Sequence, residues 1–303
     1  MRTHRLAASV AIALFVAACN GSGGATTNPT QVATNPPPTS PPSVAPTEKP
    51  ITPPTSLITA GTLTDCVDIE YPPMEYFPSA DVTDPGQAVG FDVDAAKAVA
   101  AKLGLKLAVK NTGFSTLIPD LQAGRCDIVW SALYVNTTRL AVADAVPYMA
   151  TGQVVMVKTG NTVGIHSQAD LCGKAVSIQT GGLVEERINA ANKACTDGGK
   201  QAISIQGYAK VPDELQQIVL GRVDAVWETD TAVSDWILNH KGEYEVAYAL
   251  PRDDNYGVYY GKGKTDMGTA IQAALDALKA DGSLKALATK YAMDPAILEP
   301  VKK

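Results

Sequence analysis

Two ten-residue stretches of this chain are written to one plan. Residues 121–130 read Leu-Gln-Ala-Gly-Arg-Cys-Asp-Ile-Val-Trp, and residues 218–227 read Ile-Val-Leu-Gly-Arg-Val-Asp-Ala-Val-Trp. Each gives a helix end, a Gly-Arg turn, an Asp, and an apolar run suited to a buried strand. The Gly supplies the positive φ that stops the helix, and the Asp opens the strand. A chain that spells one helix-to-strand junction twice is constrained to two structurally similar lobes. Strands and helices alternate around both copies. In the first half strands are expected at 63–68, 105–109 and 127–130. Between them fall a helix capped by Asp92, with Val93, Ala96, Val99, Ala100 and Leu103 at helical spacing, and a short helix over 114–122. The second half repeats the rhythm, with strands at 175–179, 202–205 and 223–227 and helices at 183–194, 212–220 and 231–240. The fold class is α/β, each lobe a mostly parallel sheet flanked by helices. Ligands of such sheets sit beyond the carboxyl ends of strands.

The first sixty residues follow different rules. Arg2 and Arg5 precede an apolar run from Leu6 to Ala18 that is too short to span a bilayer, so residues 1–18 read as an export signal. The run ends Val16-Ala17-Ala18-Cys19, which resembles the bacterial lipobox, whose cysteine is lipidated and becomes the first residue of the mature chain. Residues 20–60 hold ten of the 20 prolines and only two charged residues, Glu48 and Lys49. Such a segment cannot bury enough apolar surface to offset its ordering entropy. Residues 19–60 are therefore expected to be a lipidated, disordered tether that keeps the folded part extracytoplasmic and anchored to the cell membrane.

Composition excludes other classes. The 303 residues carry 25 basic and 31 acidic side chains, a net charge of −6 that becomes −8 once Arg2 and Arg5 are removed. Nucleic acid is not an expected partner, because phosphate tracking needs clustered Lys and Arg. No internal run is long and apolar enough for a transmembrane helix. Without Cys19, four cysteines remain, Cys66, Cys126, Cys172 and Cys195, and in an exported protein they are expected to pair. Of the three possible schemes, Cys66 with Cys126 and Cys172 with Cys195 keeps each bridge inside one lobe and is preferred. No C-x-x-C occurs and His166 and His240 lack neighbours at ligand spacing, so no metal is expected. Nucleophile elbow, P-loop and dinucleotide fingerprint are also missing, and no cofactor is expected.

Four segments carry a resemblance. Asp68-Ile-Glu-Tyr-Pro-Pro-Met-Glu-Tyr76, Val89-Gly-Phe-Asp-Val-Asp94, Gly113-Phe-Ser-Thr-Leu-Ile-Pro-Asp-Leu121 and Thr137-Thr-Arg139 occur in order and spacing that resemble the polar amino-acid-binding family of extracytoplasmic solute-binding proteins of ABC importers. Tyr148-Met-Ala-Thr-Gly-Gln153 and the second Gly-Arg-Val-Asp extend it over the folded part. The resemblance implies two lobes joined by a two-strand hinge, with lobe 1 discontinuous over 61–151 and 251–303 and lobe 2 over 152–250. It implies an amino acid or similar small zwitterion as ligand, an ABC permease as partner, no catalysis, and a monomer.

It also implies a site. Arg139 stands where the family grips the ligand carboxylate, a task suited to a guanidinium fork. The backbone of Gly181, Gly182 and Leu183, at a helix start just after Gln179, would meet the same carboxylate from the other lobe. Tyr71 and Phe114 match the aromatic pair that sandwiches the ligand side chain, Asp68 faces the side chain or ammonium, and Ser131 and the Ala132 carbonyl offer acceptors. Three positions depart from the family pattern. Tyr134 replaces a small hydroxyl residue. Gly182-Leu183 replaces a Thr or Ser after Gly181. The ammonium-binding aspartate falls by count on Thr229, between Glu228 and Asp230, either of which serves after a shift of one residue. Tyr134 narrows the pocket, and Asp68, Glu228 and Asp230 make it acidic, which favours a basic or polar uncharged ligand. The alternatives are an exported dehydratase of the cyclohexadienyl type, with Glu228 or Asp230 as its acid, and a ligand-sensing module.

Overall fold

The computed structural model describes residues 50–302. The export signal, Cys19 and the tether as far as residue 49 lie outside the described residues. The chain forms two five-stranded sheets. In the first, β1 (Thr62–Val67) pairs in parallel with β2 (Lys106–Asn111) and β3 (Ile128–Val129), and β10 (Asp254–Gly261) runs antiparallel between β3 and β4 (Ala143–Thr151). In the second, β6 (Ala175–Gln179) pairs in parallel with β7 (Ser204–Tyr208) and β8 (Ala225–Thr229), and β5 (Gln153–Lys158) runs antiparallel between β8 and β9 (Tyr244–Ala249).

The sheets are therefore mixed, where the sequence suggested mostly parallel ones. The chain leaves the first sheet along β4, passes through Gly152 into β5, and returns from β9 to β10, so outgoing and returning strands lie side by side with opposite sense. Parallel pairing is confined to the strands joined through helices. Those helices are α1 (Phe91–Lys102), α2 (Leu117–Gln122), α4 (Leu183–Asp197) and α5 (Val211–Val219); α3 (Thr137–Leu140), α6 (Asp230–Asn239), α7 (Thr265–Ala280) and α8 (Ser283–Lys290) complete the layers.

The repeated decapeptide has a physical basis in both lobes. Gly124 and Gly221 follow the ends of α2 and α5 with φ of 66° and 67°, left-handed values that suit a residue without Cβ. The Asp then acts as a clamp. Asp127 donates its N–H to Thr64 O and accepts the Thr64 N–H on Oδ2, both at 2.8 Å; Asp224 does the same with Ala175, again at 2.8 Å. Each clamp joins the start of β3 or β8 to the neighbouring parallel strand.

Cys66–Cys126 and Cys172–Cys195 are the disulfides, with Cα–Cα distances of 5.7 and 5.6 Å. The first packs among Leu117, Leu121, Val129 and Tyr259, and the second ties α4 to the turn before β6. Leu117 and Leu121 are one helical turn apart and both buried, worth about 2 kcal/mol each.

Two local expectations are corrected. The tether does not stay free as far as residue 60. Thr55 donates through N and Oγ1 to Asp266 Oδ2 at 2.9 and 3.0 Å, Ile58 N donates to Asp127 Oδ1 at 2.8 Å, and Ile51 and Leu57 pack on the core. Two apolar side chains and acidic acceptors on the folded part are enough to order this stretch. Asp92 is also no cap. Gly90 takes that place, with φ 131° and its backbone so close to the preceding turn that a Cβ would sit 2.1 Å from Met74 O. Asp92 lies one residue inside α1 and is fully buried.

Candidate functional site

Between the sheets lies a cleft walled by loops beyond the carboxyl ends of the parallel strands. Past β1 come Asp68, Tyr71 and Glu75; past β2, Phe114; past β3, Ser131, Ala132 and Tyr134. The other lobe contributes Gln179 from the end of β6, Gly182, Leu183 and Val184 at the start of α4, and Glu228 and Thr229 from the end of β8. Every residue expected to meet a ligand lines this cleft except Arg139, Gly181 and Asp230.

The first-lobe wall is held by hydrogen bonds among buried groups. Asp68 N donates to Ser131 Oγ at 3.0 Å, and that hydroxyl donates to Glu75 Oε1 at 2.7 Å. Ala132 sits in the left-handed region with φ 44°, which costs a residue with Cβ about 1 kcal/mol. Its N–H donates to Asp92 Oδ2 at 2.7 Å, and Tyr148 OH reaches the same carboxyl at 2.7 Å. Tyr134 OH donates to Gly152 O at 3.1 Å, and Asp230 N donates to the same oxygen at 3.1 Å. One carbonyl at the crossover thus gathers donors from both lobes.

In the second lobe Glu228 accepts the Thr229 N–H on Oε1 at 2.7 Å. Thr229 Oγ1 caps α6 by accepting from Ala232 N and is hydrogen-bonded to Tyr71 OH across the cleft. Tyr256 OH joins this group, 3.0 Å from Thr231 Oγ1 and 3.3 Å from Tyr71 OH. On the rim, Lys210 Nζ of the second lobe meets Glu70 Oε2 of the first at 2.5 Å.

The three absentees have other partners. Asp230 turns to Arg252 Nε at 2.7 Å and Thr151 Oγ1 at 3.0 Å, an ion pair beside the crossover. Gly181 N donates to Glu185 Oε2 at 2.7 Å. Arg139 donates from Nη1 to Tyr134 O at 3.0 Å and lies over the Phe114 ring, 5.6 Å from its centroid. Its burial pulls the guanidinium pKa below the ordinary value. Arg139 packs on the Phe114 ring and is not among the residues that line the cleft.

The cleft is acidic. Burial pushes Asp68 up to about 7, helped by the charge of Glu70 and opposed by Lys210. It pushes Glu228 up to about 7 against the Thr229 N–H, and Asp92 up to about 7 against Tyr148 and the Ala132 N–H. Among the described residues no basic side chain lines the cleft, and no group of three or more His, Cys, Asp or Glu is placed to hold a metal ion.

Sequence reasoning missed Glu75 and Val184 in the lining, and Glu214 of α5 behind Glu228. Glu75 stands inside one of the segments that carry the resemblance. Glu214 falls between Val211, Leu215 and Ile218 on the buried stripe of α5, and an acid on an apolar stripe is a readable signal.

A fold of two mixed α/β sheets closing on a cleft lined from both sides defines a two-lobed solute-binding protein. The chain belongs to the bacterial extracellular solute-binding proteins, family 3, whose sequence model matches residues 63–294. The L-cystine-binding protein TcyJ of Escherichia coli K12 is 27% identical over 232 residues, covering 76% of this chain and 82% of TcyJ. Among solved structures, an ancestral arginine-binding protein bound to arginine is 30% identical with a TM-score of 0.68, covering 76% of this chain and 98% of its own. The ancestral amino acid-binding protein AncCDT-1, a precursor of cyclohexadienyl dehydratase, is 26% identical with a TM-score of 0.66, covering 76% and 95%.

Proposed function

We propose that this chain is the lipid-anchored receptor of an ABC importer, and that it holds an amino acid or similar small zwitterion between lobe 1 (61–151 and 251–303) and lobe 2 (152–250). The observation that carries the reading is the make-up of the cleft: carboxyls and aromatic rings converge there beside a helix start. Glu228 is the ammonium partner in this reading, because it lines the cleft while Asp230 is committed to Arg252 and Thr229 to the cap of α6. The ligand carboxylate meets the first backbone N–H groups of α4 at Leu183 and Val184. Tyr71 and Phe114 flank the side chain, with Arg139 packed on the Phe114 ring, and Asp68 receives a polar or cationic end. Relatives that bind cystine and arginine support the ligand class.

Ligand contacts made from both lobes stabilise the closed form, and a membrane permease reads that closure. Cys19 and the tether keep the receptor, a monomer, beside the permease. The test is isothermal titration of the mature protein against the twenty amino acids. Binding of at least one at micromolar strength or tighter is expected; absence of any binding refutes the reading. Radiolabelled palmitate incorporated by the wild type and lost in Cys19→Ala tests the anchor.

A further inference from the structure

Four buried hydroxyls meet where the two sheets face each other. Tyr71, in the loop past β1, and Tyr256, on β10, come from the first lobe; Thr229, at the end of β8, and Thr231, in the first turn of α6, come from the second. Tyr71 OH is hydrogen-bonded to Thr229 Oγ1. Thr229 Oγ1 is 3.2 Å from Thr231 Oγ1, Thr231 Oγ1 is 3.0 Å from Tyr256 OH, and Tyr256 OH is 3.3 Å from Tyr71 OH. The contacts close a ring. A hydroxyl has one proton and two lone pairs, so passing each proton to the next oxygen in one sense gives every member one bond donated and one accepted. The lone pair left on Thr229 takes the Ala232 N–H that caps α6. Burial pushes both phenols up from their ordinary value, so their protons stay in place.

Tyr71 to Thr229 and Thr231 to Tyr256 are the bonds that cross between the lobes. Their partners are rooted apart. Tyr256 stands opposite Met149 in the first sheet and meets the Tyr134 ring edge-on, with centroids 5.3 Å apart. Thr229 stands opposite Gln153 in the second sheet, and α6 packs on β5 and β8. The chain passes from one sheet to the other at Gly152 and at residues 250–253. A hydrogen bond is gone once its atoms part beyond about 3.5 Å, so a small rotation at these crossovers breaks both crossing bonds together. Members of a ring also polarise one another, so losing one bond weakens the rest.

We propose, on the amino-acid reading above, that this ring locks the two lobes together, with Tyr256 and Thr231 as positioning residues. Neither lines the cleft, yet together they hold the second lobe against the first and fix the Tyr71 ring, which does line it. Release of a bound amino acid requires the lobes to part and therefore breaks the ring. Thr229 gains a task as well. It stands where the resemblance places an acid, and an ionised carboxylate there would have no proton to pass on. The lock carries no charge, because Asp230, between the two threonines, turns to Arg252.

The experiment is a double-mutant cycle on ligand release. The mature protein, Thr231→Val, Tyr256→Phe and the double variant are titrated with the twenty amino acids, and stopped-flow displacement follows release of the tightest binder. Each single substitution is expected to quicken release about three- to tenfold. The double variant should release no faster than either single one, since all three lack the same bond. Thr231→Ser keeps the hydroxyl and should release at the wild-type rate. Residues that served the fold alone would move the melting temperature and leave release unchanged. Wild-type release in both single variants, or effects that multiply in the double variant, overturns the lock and leaves the amino-acid reading standing. Binding of no amino acid overturns that reading, and small-angle X-ray scattering of the ligand-free protein then decides the lock: a larger radius of gyration in the double variant than in the wild type supports it, and an equal one overturns it.

Discussion

Glu228 should make the empty protein less stable at the pH where it is best able to hold a ligand. Its carboxyl is pushed from an ordinary 4.5 to about 7 in the folded state, chiefly by burial. In the unfolded chain it ionises near 4.5, so between these values the folded form holds a proton that the unfolded form has lost. A group of this kind contributes most to stability below its unfolded pKa, and the contribution is lost as pH rises through the folded value. A shift of about 2.5 units at about 1.4 kcal/mol each sets the loss at about 3 kcal/mol between pH 5 and pH 8. Glu228→Gln keeps the shape and removes the titration. The raised carboxyls that Glu228 does not perturb, Asp68 and Asp92, are common to both proteins and cancel in the comparison. Glu214, raised by burial and then by the charge of Glu228, is relieved in the variant and moves the difference in the same direction. At about 2 to 4 °C per kcal/mol for a folded part of this size, the variant should match the wild type near pH 5 and melt roughly 6 to 12 °C higher near pH 8. Differential scanning calorimetry of ligand-free protein across that range is the assay. Two melting curves that stay parallel from pH 5 to pH 8 would show that Glu228 is not held protonated, and the electrostatic account of the cleft would fall with it.

Three further outcomes are expected. Gly90→Ala places a Cβ 2.1 Å from Met74 O at a φ of 131°, so the turn carrying Glu75 must move; a loss of about 3 kcal/mol or more is expected in urea unfolding. Lys210→Ala removes the rim ion pair with Glu70, in which Lys210 is more than half exposed, so stability should change by less than about 1 kcal/mol while stopped-flow ligand release quickens a few-fold. Replacing both Cys172 and Cys195 by Ser opens a bridge spanning 23 residues and should cost about 3 kcal/mol, read as a lower melting temperature that added reductant does not lower further through this bridge.

The legible parts of this fold were those written locally. The strand at Ala175–Gln179 and the start of α4 at Leu183 follow from β-branched runs and helical periodicity, and Gly124 and Gly221 announced both helix stops. What escaped was set by distant neighbours. The returning strand Asp254–Gly261 owes its place to pairing with β3 and β4, more than a hundred residues earlier, and that pairing mixes the sheet. The same holds within the site. Its aromatic and acidic members were visible because their segments carry the family resemblance, yet nothing local reveals that Arg139 is taken up by Tyr134 O and the Phe114 ring, or that Asp230 belongs to Arg252. Glu214 was the missed opportunity, an acid written plainly into an apolar stripe.

The two aspartate clamps divide the labour of each parallel strand end from end. Asp127 and Asp224 fasten β3 and β8 where those strands begin, whereas Ser131, Ala132, Glu228 and Thr229 face the cleft where they finish. Alignment is thus fixed at the end remote from recognition. Residues at the cleft can be exchanged for others that suit a different guest without unfastening the strands that present them. A scaffold of this kind is open to retuning: libraries confined to the finishing ends should yield new specificities at little structural risk, and changes at either clamp should harm every specificity alike.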